Sequence, residues 1–177
     1  PHTWDRVKDV RVGGVYKDKS GDDFLIGINQ LLGPKSVLSV NLTYGQAYGM
    51  LDDPYRAIGS LDPILIYGGP QDIPASFEQR PQFREKIIGR VSLTQFITPA
   101  NASVEAAYRF YHDNYDINAH TVDLAWYQKI GKHVILSPNL RYSYQSAASF
   151  YTEMLTSFAA APRFYSSDYR LSEMQTL

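Results

Sequence analysis

The sequence contains no cysteine, which excludes disulfide bonds and thiolate metal ligands. It also lacks any apolar run close to the ~18 residues that a transmembrane helix requires. The formal net charge is −1, so the overall charge does not indicate binding to nucleic acid or to an anionic membrane surface, and no nucleic-acid partner is expected. Tryptophan is scarce at 2 residues, whereas tyrosine reaches 14; this bias is typical of β-strands and of surfaces where one end of a ring is dry and the other wet.

The clearest pattern lies in residues 36–48, where apolar residues alternate with small polar ones. One register holds Leu38, Val40, Leu42 and Tyr44, and the other holds Ser39, Asn41, Thr43 and Gly45. A period of two with one apolar face predicts a β-strand. Residues 24–32 alternate in the same way, and residues 33–35 (Gly-Pro-Lys) predict a tight turn that joins the two segments into a hairpin.

The same alternation predicts further strands along the chain. They cover residues 86–97, 102–112, 121–129, 134–146 and about 167–177, and residues 10–16 are a further candidate. Short turns near Gly33, Pro99 and Gly131 alternate with long connections at 46–85, 112–120 and 147–166. Strands of roughly 9–13 residues joined in this way are typical of outer-membrane barrels, whereas the strands of soluble proteins average about 5–6 residues.

We therefore predict an all-β fold, an antiparallel up-and-down transmembrane β-barrel. Residues 1–177 would form part of this one barrel domain and contribute about seven of its strands, with the three long connections as extracellular loops. A single-chain bacterial barrel needs an even number of at least about eight strands, so the chain is expected to be part of a larger barrel.

Two groups of side chains follow from the predicted faces. Outward aromatic residues near the strand ends predict girdles at the lipid headgroups, with ordinary strand enrichment in aromatics as the alternative. These residues are Tyr44, Phe110, Trp126, Tyr142 and Tyr144.

Inward charges predict either a constriction that selects solutes by the sign of their charge or a salt-bridge ladder that closes the lumen. These residues are Arg90, Glu105, Arg109, Asp123, Arg141 and Arg170.

No catalytic, metal or cofactor site is expected. Candidate metal ligands are His112, Asp116 and His120 in one connection, and Asp52, Asp53 and Asp72 in another. The first spacing matches no helix-borne ligand motif, and Asp53 before Pro54 more simply marks a turn. His120 with Ser143 or Ser146 is the one combination that suggests a hydrolase. It lacks a nucleophile elbow and an oxyanion loop, so no enzymatic activity is expected.

Several short motifs together resemble the bacterial domain-of-unknown-function family thirty-five-seventy. They are GINQLL at 27–32, YGMLDDPYR at 48–56, EQRPQFR at 78–84, YRFYHD at 108–113, WYQ at 126–128, PNLRY at 138–142, QSAASFY at 145–151 and SDYRL at 167–171. The resemblance implies an outer-membrane β-barrel of a Gram-negative bacterium, about twice this length, with no assigned reaction. It also implies a genomic neighbourhood of flavin-attachment and thioredoxin-like proteins, which suggests an envelope redox assembly.

The function predicted from these patterns is a channel, conduit or transport component in the bacterial outer membrane. The alternative is a structural or docking barrel without conductance in a cell-envelope complex, one that is redox-linked if the resemblance holds. The expected partners are the lipid bilayer and lipopolysaccharide, and periplasmic or surface-exposed proteins are further candidates. Polar inward residues serve both functions, so the sequence leaves the choice between them open.

Overall fold

One antiparallel sheet organises the chain in a computed structural model that describes residues 1–9, 11, 13–60, 75–131 and 133–177. Eight strands follow one another across the sheet in the order in which they occur along the chain, and a ninth, short strand extends the pairing of the sixth. All of these pairs are antiparallel, and each strand lies beside its neighbour in the chain. The predicted all-β, antiparallel, up-and-down architecture is confirmed.

The main strands are long. The bounds are β1 His2–Asp9, β2 Val15–Gly33, β3 Ser36–Gly49, β4 Ala57–Gly59, β5 Ala75–Phe77, β6 Phe83–Ile97, β7 Ala102–Asp113, β8 Asn118–Ile130, β9 Val134–Leu136, β10 Asn139–Gln145 and β11 Met174–Thr176. Strands β2, β3 and β6 contain 19, 14 and 15 residues. β4 and β5 pair only with each other and form a separate small hairpin.

The alternation seen in the sequence becomes two continuous faces because the strand pairs keep one register. A row through the middle of the apolar face joins Ile28, Val40, Val91, Tyr108, Val122 and Tyr142. The next row, on the opposite face, joins Asn29, Ser39, Ser92, Ala107, Asp123 and Arg141. We call these surfaces the apolar face and the polar face.

The main sheet has no conventional hydrophobic core in the described part of the chain. The buried apolar residues that its strands contribute are small: Ala102, Ala107 and Ala125. The large buried apolar side chains belong to the connections and to the β4–β5 hairpin: Met50, Ile58, Tyr115, Ile117, Leu155, Tyr165 and Leu171. The apolar face is exposed, with Phe24 at 67% and Ile28 at 65% of their accessible surface.

The N-terminal strands differ from the prediction. The candidate strand at residues 10–16 is correct only for Val15 and Tyr16, where β2 begins; Gly13 and Gly14 form a turn with positive φ, and Val10 and Val12 lie outside the described residues. The sequence pattern also missed β1 and residues 17–23 of β2. Charged residues such as Lys17 and Asp18 fall on both faces of these paired strands, so neither face shows an apolar register.

The C-terminal strand and one connection also differ in extent. Instead of a strand from residue 167, the chain forms a 3-10 turn at Tyr169–Leu171 and only then the short β11. Between β7 and β8 the loop is a tight turn, because the Asp113 carboxylate accepts hydrogen bonds from the backbone N–H of Tyr115 and Ile117 at 3.0 and 3.1 Å. Both strands therefore extend further towards this turn than their alternation alone predicts.

Two long connections pack together at one end of the polar face. We call residues 50–60, 75–82 and 146–173 the loop cap. Ile58 from the first connection packs with Leu155 and Tyr165 from the second. A second cluster joins Leu171 to Tyr115 of the β7–β8 turn. Backbone hydrogen bonds in both directions between Gln79 and Tyr165, at 3.0 and 2.8 Å, tie the connections to each other.

The outermost strands, β1 and β11, cover only part of the strands beside them. β1 covers only residues 15–22 of β2, and β11 pairs with β10 only at Ser143–Gln145. Within the described ranges no pairing joins β1 to β11. Among the same residues, no helix has the length and apolar character needed to cross a membrane.

Candidate functional site: a charged polar face beneath the loop cap

The polar face carries most of the charges that were predicted to face inward. Arg90 on β6 lies 3.3 Å from the Glu105 carboxylate on β7, and Arg141 on β10 lies 2.5 Å from the Asp123 carboxylate on β8. Each pair bridges neighbouring strands, which is the geometry that stabilises adjacent strands electrostatically.

Arg109 and Arg170, the other predicted inward cations, occupy different settings. Arg109 sits directly opposite Arg90 in the strand register, and its guanidinium lies 5.8 Å from the ring centre of Tyr111. Arg170 belongs to the 3-10 turn in the loop cap, where it lies 2.7 Å from Asp168 and 3.7 Å from Asp53. The predicted group therefore divides between the strands and the loop cap.

The loop cap contains a buried network of charges centred on Asp168. Its carboxylate accepts from Arg80 at 2.7 Å and from Arg170 at 2.7 to 3.0 Å, and its side chain is 1% exposed. Burial opposes ionisation, but the hydrogen bonds from Arg170 and Arg80 outweigh it and hold the pKa of the Asp168 carboxyl well below its usual range.

Glu78 links this network to the neighbouring backbone. Its buried carboxylate lies 2.9 Å from Arg80 and accepts from the hydroxyl of Ser166 and the backbone N–H of Asp53. Asp52 in turn accepts from the backbone N–H of Arg80 at 2.7 Å. Because buried carboxylates are costly unless paired, these contacts hold the two connections in one arrangement.

A second ion pair lies where the polar face meets the β7–β8 turn. Arg84 donates to the buried Asp113 carboxylate from Nε at 2.9 Å and to the Tyr111 hydroxyl at 2.9 Å. Its guanidinium also lies 4.8 Å from the ring centre of Tyr115. Burial raises the pKa of the Tyr115 hydroxyl to about 12, against the opposing effect of Arg84 and Arg80.

These groups surround two adjoining cavities between the polar face and the loop cap. The larger has a volume of about 530 Å³ and reaches Asp52, Asp53 and Asp168 in the loop cap. The smaller, of about 430 Å³, lies against β2, β3, β6 and β7. The two share Lys19, Leu51, Arg80, Arg84, Arg109 and Tyr111 as lining residues.

The aromatic residues assigned to girdles lie near the strand ends. Tyr44 donates to Glu85 at 2.6 Å at the loop-cap end of the sheet, and the ring centres of Phe110 and His120 are 5.3 Å apart at the same end. Tyr144 pairs with His120, and Tyr142 lies one row further into the sheet. Trp126 lies near the opposite end and donates to Gln128 at 3.2 Å.

The candidate metal ligands are not brought together. His112 Nδ1 lies 2.9 Å from Asn118, His120 Nδ1 lies 2.7 Å from the Tyr108 hydroxyl, and Asp116 occupies the turn with a φ of 65°. No three His, Asp or Glu side chains converge as metal ligands among the residues described. Asp72 lies outside the described residues, and Asp52 is paired with Arg11 at 3.2 Å.

The hydrolase combination of His120 with Ser143 is separated by the sheet. His120 belongs to the row of Phe110 and Tyr144 on the apolar face, whereas Ser143 belongs to the row of Arg109 on the polar face. Side chains in adjacent rows of a sheet point to opposite sides, so the His120 imidazole cannot reach the Ser143 hydroxyl.

The sequence pattern missed the charges that build the loop cap and the cavities. Lys19, Glu78, Arg80, Arg84 and Asp113 lie in or next to segments that were interpreted as long loops or as unassigned sequence. Their density of charge is visible in the sequence, but their partners are far along the chain: Arg80 and Asp168 are 88 residues apart.

Comparison with known proteins places the chain in a family. No curated protein and no solved structure matches it significantly. Residues 2–177 match the family described as "Protein of unknown function (DUF3570)". The match covers almost the whole chain, so the chain belongs to this DUF3570 family.

Proposed function

We propose that this chain forms part of a bacterial outer-membrane β-barrel that acts as a channel, conduit or transport component, with the apolar face in lipid and the polar face lining the lumen. The observation that carries the proposal is the exposed apolar face that runs across six strands, with no hydrophobic core behind it in the part of the chain that the structure describes. An exposed apolar surface of that extent marks an interaction site, and rows of lipid-facing residues are what a barrel exterior requires.

The strand dimensions support the same proposal. A tilted strand needs about 9–11 residues to cross the hydrocarbon core. β6, β7 and β8 have 15, 12 and 13 residues, which is enough to cross it and emerge on both sides. Tyr44, Phe110 and Tyr144 at one end and Trp126 at the other occupy positions suited to headgroup contact.

Closure of the barrel requires more strands than the main sheet supplies. Residues 24–33 of β2 form an edge that β1 does not cover within the described chain, and this edge includes exposed apolar residues such as Phe24 and Leu31. Unpaired backbone groups are not tolerated in lipid. Further strands of the full-length protein, or of a partner, therefore complete the barrel in this proposal.

A conduit is favoured by the character of the polar face. It is lined by polar and charged side chains, and its two cavities total several hundred Å³ beneath the loop cap. Rings of charged side chains at a narrow point are a common way to select solutes by charge. The proposal assigns no reaction and no cofactor to this site.

The alternative is a structural or docking barrel without conductance within a cell-envelope complex. The observation that favours it is the buried network of Glu78, Arg80 and Asp168, which fixes the loop cap over the polar face. A loop cap held by buried ion pairs opens at considerable cost, because an unpaired buried charge is unfavourable by roughly 3–5 kcal/mol.

Fractionation of the full-length native protein tests the barrel. We expect it in the outer-membrane fraction, with different gel migration in detergent before and after boiling. A protein that is soluble without detergent and insensitive to boiling contradicts the proposal, since the apolar face would then be covered by protein.

Planar-bilayer recording separates the conduit from the docking barrel. The purified, heat-modifiable protein is reconstituted and its single-channel conductance is measured in potassium chloride. Discrete conductance steps support the conduit. A correctly folded barrel without conductance that co-purifies with envelope proteins supports the docking alternative.

A further inference from the structure

We infer that the smaller cavity on the polar face is a binding site for a small solute with several anionic oxygens, such as a phosphate or a polycarboxylate. The inference deepens the proposed function, on which it rests for the identification of this cavity with the lumen. It names the class of solute that the conduit would hold at the loop-cap end.

The first argument is the charge of the lining. Five cationic side chains line this cavity of about 430 Å³, and no described carboxylate lines it: the cations are Lys19, Arg80, Arg84, Lys86 and Arg109. A concave surface of one charge sign concentrates the field and the opposite ion. The volume lies within the ~300–1,000 Å³ of ordinary small-molecule sites.

The second argument is that two of these cations form no ion pair among the described residues. Arg80, Arg84 and Lys86 are paired with Asp168, Asp113 and Asp23, carboxylates that do not line this cavity. Lys19 and Arg109 form no ion pair with any carboxylate of the described residues. Their charges are therefore available to a ligand.

The third argument is the position of Arg109. It lies directly opposite Arg90 on the neighbouring strand, and like charges in that relationship are destabilising. Glu105 pairs with Arg90 at 3.3 Å, whereas Arg109 has no ion pair among the described residues and its guanidinium lies 5.8 Å from the centre of the Tyr111 ring. A bound anion would relieve this repulsion.

The fourth argument is chemical. Guanidinium groups match the paired oxygens of phosphate and carboxylate, and a lysine adds a compact charge with rotatable donors. Arg84 is fixed by Asp113 and Tyr111, so one wall of the cavity is preorganised before any ligand arrives. The hydroxyl of Tyr111 lines the same cavity.

The test is calorimetric titration of the full-length protein in detergent at low ionic strength, with inorganic phosphate in one arm and citrate in the other. We expect saturable binding of at least one anion. Arg109→Gln and Lys19→Gln, which remove one charge each from different strands, should each weaken binding by about tenfold, the effect of one lost charged hydrogen bond. Lys129→Gln, which removes an exposed charge at the opposite end of β8, should leave binding unchanged.

Heat-modifiable migration of each variant is recorded in parallel, so that misfolding is detected and the second variant can replace a misfolded first. The anion site is overturned if neither anion binds, or if both cavity variants bind as tightly as the wild type. If the protein is heat-modifiable but binds neither anion, the barrel stands and the site fails. If anions bind with the expected variant pattern but the protein needs no detergent, the site stands and the membrane function fails.

Discussion

Arg80 donates a hydrogen bond from Nη2 to Oδ2 of Asp168 over 2.7 Å, although the two residues are 88 positions apart in the chain. The bond joins the β3–β6 connection to the C-terminal connection, which also share the apolar cluster of Ile58, Leu155 and Tyr165. The Arg80 and Asp168 side chains are almost completely buried, so the loss of either charge leaves the other incompletely balanced.

Removing the charge of Asp168 should open the loop cap. Asp168→Asn keeps the shape of the side chain but leaves Arg80 with a single carboxylate partner, Glu78, in a buried site. We expect the free energy of local opening to fall by about 3 kcal/mol, measured by hydrogen exchange of residues 146–173. The control is Asp18→Asn. It removes an exposed carboxylate whose ion pair with Arg6 is long, at 3.8 Å, so it should change this free energy by less than ~1 kcal/mol. Equal exchange in both variants would contradict the role of the buried pair.

Acid should loosen the loop cap only at low pH. The pKa of Asp168 is lowered in the folded state, so its ionised form contributes stability above the unfolded pKa of about 3.9 and loses that contribution as the pH falls further. The charged groups that face this carboxylate are Arg56, Arg80 and Arg170. Hydrogen exchange of residues 146–173, corrected for intrinsic rates, should be constant between pH 5 and pH 7 and rise below about pH 4. A transition centred near neutral pH would point to another group.

The end of β3 depends on a glycine. Gly49 has a φ of 97°, and a Cβ added there would lie 2.1 Å from the backbone oxygen of Asp18. Gly49→Ala should therefore lower the free energy of unfolding by about 2–3 kcal/mol, measured by urea titration of the protein in lipid vesicles. Gly89→Ala is the control, because a Cβ at Gly89 on β6 meets nothing within 4 Å. Equal stability of the two variants would show that the backbone of β2 adjusts to the added methyl group.

The two faces of β3 should differ in how well they tolerate an introduced charge. Val40 lies in the middle row of the apolar face, and Ser39 lies in the adjacent row of the polar face. In a membrane barrel Val40→Arg should cost about 2–4 kcal/mol of folding free energy, whereas Ser39→Arg should cost less than about 1 kcal/mol. Refolding into lipid vesicles, followed by heat-modifiable migration, gives both values. If the two substitutions are equally tolerated, the apolar face does not contact lipid.

The fold was largely predictable because strand periodicity is a local property. The alternation in residues 36–48 identified β3, its two faces and its hairpin with β2, and the register of the structure preserves those faces across the sheet. The pattern failed where charge occurs on both sides of a strand. β1 and residues 15–23 of β2 have no apolar register, so nothing in their sequence separates them from a polar loop.

The site was predictable only in part, for the same physical reason. The sequence assigned Arg90, Glu105, Asp123 and Arg141 to one face, because successive side chains of a strand point to opposite sides of the sheet. The tertiary structure decided which charges meet: Arg90, which faces Arg109 in the strand register, reaches diagonally to Glu105, and folding of the loop cap brings Arg80 to Asp168. It also decided which cations lack a counter-ion, since the setting of Lys19 and Arg109 depends on neighbours from distant segments. The sequence by itself thus determined the strands and their two faces, whereas the charge balance of the cavity required the long-range contacts that only the folded chain makes.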